Sequence, residues 1–144
     1  METSTLHFDI KPTDHSAPLT VTVHLDQTVI FGPTIVADLV PVQIALEDDA
    51  ADHELKITLS GKTADHTKLD DHNNIVKDAV IEIANIKLDD IDIKQLFVDK
   101  SVYHHNTNNT TDWTQDRFYG IMGCNGTVSL KFSTPSYLWL LENM

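Results

Sequence analysis

The chain has 144 residues, 41% hydrophobic and 22% charged, with 22 Asp and Glu against 10 Lys and Arg for a formal net charge of -12. That length and balance describe one globular domain, 1–144, with enough chain for a single core. So acidic a surface argues against direct nucleic-acid binding, which needs basic patches on phosphate, and Arg117 is the only arginine; anionic lipid is disfavoured for the same reason.

Period-two alternation runs through the chain. Leu6, Phe8 and Ile10 alternate with His7 and Asp9, and Leu19, Val21, Val23 and Leu25 alternate with Thr20, Thr22 and His24. Each pattern predicts a strand with one buried and one wet face. Further strands are expected over Val29 to Phe31 and Ile35 to Leu46. Leu55, Ile57 and Leu59 mark another. Gly32-Pro33, the acidic run Asp48-Asp49-Ala50-Ala51-Asp52 and Asp71-His72-Asn73-Asn74 read as turns. The last is flanked by His66 to Leu69 and Ile75 to Lys77, a predicted hairpin.

From Ala79 to Ile93 the parity changes. Ile81 and Ile83 share one face, whereas Ile86 and Leu88 fall on the other, which predicts a β-bulge near Ala84-Asn85. Leu88 to Ile93 then reads as a turn and a return strand. His104 to Gln115, rich in Asn, Thr and Asp, is expected to be the longest irregular loop. Strands follow over Phe118 to Met122 and over Val128, Leu130 and Phe132. The single helix expected is the tail, with Thr134 as a cap and Pro135 at its first position. The fold class is all-β: an antiparallel β-sandwich or jelly roll with a short C-terminal helix.

Motifs for chemistry are weak. Gly61-Lys62-Thr63 lacks the earlier glycine of a phosphate loop, where Lys56 stands, and follows a strand into a hairpin. Cys124, the only cysteine, precludes an intrachain disulfide and has no histidine near it in sequence, so an inert thiol is the better reading. Eight histidines lack the paired spacing of a zinc site. The sequons at Asn108, Asn109 and Asn125 carry no meaning without a secretory route. Calcium is the one cofactor worth weighing: Asp48, Asp49 and Asp52 gather carboxylates on one turn, and Asp89, Asp90 and Asp92 form a second group. Calcium takes about six to eight oxygens, and neither group follows the calcium-loop pattern, so solvated turns are favoured.

Tyr103 and Trp113 flank the polar loop and would suit stacking on a sugar ring, although packing is the commoner role for both. Tyr137, Leu138, Trp139, Leu140 and Leu141 make the tail too apolar for one helix face. They are expected to be buried in this subunit or in a neighbour.

The motif order from Ser60 to Met144 carries a resemblance. It runs Ser60-Gly61-Lys62, His66-Thr67, Asp71 to Asp78, the strand pair from Ile83 to Ile93, Gly123-Cys124-Asn125-Gly126-Thr127, and Pro135 to Asn143. This resembles small β-sandwich proteins of tailed bacteriophages, virion parts of the tail or head. The resemblance implies a non-enzymatic structural subunit, made in the host cytoplasm and located in the virion, whose partners are other virion proteins or copies of itself. The start Met1 to Thr5, without a signal-peptide pattern, agrees with that route. The alternative is a carbohydrate-binding module for host attachment, calcium-assisted, to which jelly rolls are similar in fold alone. A small hydrolase ranks last.

Overall fold

The computed structural model describes residues 3–13, 19–47, 49–61, 67–69, 71–72, 75–106 and 113–143. Strand after strand alternates buried and exposed side chains, as a pleated chain with one wet face must. In chain order the elements are β1 (Thr3–Pro12), β2 (Thr20–Leu25), β3 (Thr28–Ile35), β4 (Val40–Glu47), β5 (Asp52–Ser60), β6 (Thr67–Leu69) and β7 (Ile75–Asp78). They continue with β8 (Ile81–Leu88), β9 (Ile91–Asp92), α1 (Lys94–Lys100), β10 (Val102–Asn106), β11 (Trp113–Arg117), β12 (Ile121–Met122), β13 (Gly126–Ser133) and α2 (Ser136–Asn143).

Two antiparallel sheets pack face to face as a β-sandwich with a short C-terminal helix, the expected class. One sheet runs β12–β8–β1–β4, with β9 paired to β8; the other runs β11–β10–β13–β5–β2–β3. β6 and β7 pair as the predicted hairpin. The inward residues form one cluster: Leu6, Phe8, Ile10, Val42, Ile44, Ile81 and Ile83 from the first sheet meet Val21, Val23, Leu55, Ile57, Leu59, Val128, Leu130 and Phe132 from the second. Each large side chain buried there stabilises the fold by about 1.5–3 kcal/mol.

The parity change in β8 is a bulge. His7 pairs with Lys87 and Asp9 with Ala84, so two β8 residues, Asn85 and Ile86, face Phe8 alone. Asn85 takes φ 54°, and its Nδ2 donates to Asp9 Oδ2 at 2.8 Å. The extra residue turns Ile86 and Leu88 back into the core. Asp89 and Asp90, at φ 51° and 66°, then make the tight turn into β9.

Several expectations change; the strand expected over Phe118 to Met122 covers only Ile121–Met122, with Phe118 buried ahead of it. Ile35 to Leu46 is two strands, because the chain leaves one sheet at Ile35 and enters the other at Val40, with Val36 buried at the crossing. His104 to Gln115 is largely a hairpin of β10 and β11, whose polar residues supply a wet sheet face; the turn, 107–112, lies outside the described residues. Gly126 lets β10 and β13 approach, since a Cβ there would sit 2.3 Å from the His104 carbonyl oxygen. Finally, α1 was not expected. Asp92 Oδ1 accepts the Lys94 N–H at 2.8 Å, Leu96 and Phe97 turn into the core, and Phe97 meets Phe118 edge-on at 5.4 Å.

Candidate functional site

Polar side chains converge at one end of the sandwich, on His53. It shares strand parity with Leu55, Ile57 and Leu59, so its imidazole points inward at the margin of the core. There it packs on Phe132, ring centroids 5.7 Å apart, and Phe132 meets Trp139 of α2 at 6.1 Å. His53 Nδ1 lies 2.8 Å from Asp26 Oδ2 in the β2–β3 turn, and Nε2 lies 2.9 Å from Asp49 Oδ1 in the β4–β5 connection. Asp49 Oδ1 also accepts from the Thr134 hydroxyl at 2.6 Å and the Ala51 N–H at 3.2 Å. Asp26 Oδ1 accepts the Glu54 N–H at 2.9 Å.

The electrostatics follow from those bonds. The Asp26 hydrogen bond raises the His53 pKa above its ordinary 6.5, with Asp49 adding to it. The Thr134 hydroxyl, then His53, holds Asp49 down at about 2, and Asp26 is lowered chiefly by His53. When protonated, His53 donates through both nitrogens to the two carboxylates. The group therefore ties two loops and the start of α2 to β5. Beside it lies a shallow cleft of about 600 Å³ lined by Asp26, Asp52, His53, Glu54, Phe132 and Trp139, among others.

The outer face of the six-stranded sheet forms a larger groove of about 810 Å³. Register aligns its residues in rows across the strands. One row runs Gln115, His104, Thr127, Thr58 and Thr22; the next runs Val102, Ser129, Lys56 and His24; a third pairs Lys131 with Glu54. Thr58 and Thr127 share a hydroxyl hydrogen bond at 3.0 Å on the groove floor. Lys100, at the end of α1, overlooks the same space.

The third feature is α2. Ser136, Trp139 and Leu140 turn inward, and Trp139 and Leu140 are 7% and 5% exposed. Tyr137, Leu138 and Leu141 turn outward at 59%, 44% and 72%. Thr134 does not cap this helix, because its hydroxyl is given to Asp49; the first turn closes on the Pro135 carbonyl. Between α1 and α2 lies an apolar groove of about 300 Å³, lined by Ile91, Ile93, Leu96 and Leu140 among others.

The remaining candidates are placed as follows. Tyr103 is a core residue: its hydroxyl donates to the Cys124 carbonyl and accepts the Cys124 N–H at 3.0 Å. Its ring is 7% exposed, so it presents no sugar-stacking surface, and burial pushes its phenol pKa up. Trp113 pairs with Asn106 at the start of β11, and its side chain is outside the described residues. Asp48 is also outside them, Asp49 belongs to the His53 group, and Asp52 is exposed opposite Ser133. Among the described residues no group of three His, Cys, Asp or Glu is arranged around a metal position. Among the described residues of the expected set, Asp49 and Asp52 of the carboxylate turn and Trp139 of the tail gather around His53. No family model matches the chain, and no curated protein or solved structure does.

Proposed function

We propose that the protein is a non-enzymatic structural subunit that associates with copies of itself through the end of the sandwich carrying α1 and α2, in a bacteriophage particle. The observation that carries this reading is the two-sided tail. An eight-residue helix buries Trp139 and Leu140 in its own subunit and holds Tyr137, Leu138 and Leu141 out to solvent. Outward apolar groups so close together, beside an apolar groove with Ile91 exposed at 46%, suit a protein surface better than water. Asp92 and Asp99 line the same groove and the exposed Glu142 follows Leu141, so the apolar groups sit within an acidic rim. A self-complementary contact of this kind closes on a two-fold axis. The His53 geometry supports a role without catalysis, since both ring nitrogens are engaged by carboxylates. The virion location rests on the motif order from Ser60 to Met144.

Sedimentation velocity over a concentration series tests the association. The full chain is expected to self-associate, and Leu138→Asp with Leu141→Asp is expected to sediment as a folded monomer. A full chain that stays monomeric at every concentration contradicts the reading.

A further inference from the structure

We propose that the groove on the outer face of the six-stranded sheet binds an acidic oligosaccharide, its carboxylate or sulfate groups held by Lys100 and Lys131 and its hydroxyls by Thr58, Thr127, Ser129 and Gln115. The chain has 10 basic residues in all, and Lys56, Lys100 and Lys131 line this one groove. Its two carboxylates are already answered: Glu54 lies 3.2 Å from Lys56, and Asp26 is bonded to His53. Among the described residues no carboxylate lies within ion-pair distance of Lys100 or Lys131, and both are exposed. Two unanswered cations thus overlook the groove in a molecule that is strongly negative elsewhere. Such a place attracts a ligand bearing a few spaced anionic groups, while the overall field repels a dense polyanion.

The floor specifies the rest. Gln115, His104, Thr127 and Thr58 lie side by side on adjacent strands, with Ser129 and Lys56 in the next row. At roughly 4.8 Å per strand, the rows from β2 to β11 span about 19 Å, the reach of an extended chain of sugars. Hydroxyl, amide and imidazole groups donate and accept alternately, as sugar hydroxyls require. Among the described residues no Phe, Tyr or Trp lines the groove.

Isothermal titration at low salt, on the full chain, tests this with a uronic-acid oligosaccharide, a sulfated oligosaccharide and a neutral one of equal length. Poly-glutamate and single-stranded DNA serve as anions of other classes. At least one acidic sugar is expected to bind about tenfold more tightly than the neutral sugar, and more weakly as salt rises. Which of the two binds better separates carboxylate from sulfate recognition. Lys100→Gln with Lys131→Gln should reduce that affinity about tenfold or more while leaving the circular dichroism unchanged. Thr58→Val with Thr127→Val should weaken the sugar without altering the salt dependence. Failure of both acidic sugars to bind overturns the proposal, as does binding that survives both double variants. Equal affinity for poly-glutamate or DNA also overturns it, because the groove would then read charge alone.

Discussion

Both ring nitrogens of His53 meet carboxylates, and its protonation sets how firmly the end of the sandwich is tied. Its pKa is raised by folding, so its contribution is complete below the unfolded value near 6.5 and is lost as pH rises through the folded value. Asp26 and Asp49 are lowered, so theirs is complete above the ordinary 3.8 and is lost as pH falls, for Asp49 through about 2. Stability from this group is therefore greatest between about pH 4 and 6.5. Thermal melts across pH should show the melting temperature falling on the alkaline side of that window. His53→Gln should flatten the fall; an identical pH profile in the variant would place the titration elsewhere. This site is legible in the sequence only in part. Asp49 and Asp52 stood out as carboxylates on a turn, but their partner did not. The available signal was parity, since His53 is in step with Leu55, Ile57 and Leu59, a polar residue on an apolar face. Tyr103 shows the converse: a polar neighbourhood in sequence suggested exposure, whereas alternation along β10 turns it inward.

At the scale of elements, β8 shows how far pattern alone reaches. The parity change between Ile83 and Ile86 has one explanation in a strand, an extra residue, and Asn85 supplies it in the left-handed region at φ 54°. Asn tolerates that conformation and a β-branched residue does not. Asn85→Val should therefore cost about 1–3 kcal/mol in urea unfolding. Asn85→Gly should cost less, because it relieves φ and loses only the bond to Asp9. A glycine variant as damaged as the valine one would shift the weight from backbone to side chain. Ile83→Ala, at a site 5% exposed just before the bulge, should cost about 2–5 kcal/mol. The strands that were legible are those with a clear apolar stripe. β10 and β11 were hidden because an edge hairpin with a wet outer face has polar composition, and hydrogen bonding to β13 decides its state. α1 was hidden because seven residues are too few to show a helical period. Its signals, Asp92 before Lys94 and the adjacent Leu96 and Phe97, gain meaning only against the sheet they pack on.

For the whole molecule the tail decides how the subunit meets others, and its two faces can be separated by substitution. Removing residues 136–144 would confuse them, because it takes away Trp139 and Leu140 from the core together with the outward groups. Trp139→Ala alone should cost about 3–5 kcal/mol, since the indole is 7% exposed and closes the ring contact with Phe132. Leu141→Asp, at 72% exposure, should leave stability within about 0.5 kcal/mol of the parent. If the outward face is an interface, the same change places an anion in an apolar contact between two acidic molecules. Association should then fall sharply while the melting temperature of the monomer holds. The two measurements thus move in opposite order for the two residues: stability first for Trp139, association first for Leu141. A Leu141→Asp protein that associates as strongly as the parent would mean that the exposed face of α2 is solvated surface. The subunit contacts would then have to be sought elsewhere, beginning with the uncharged edge strand β3, where Val29 and Ile35 are 51% and 59% exposed.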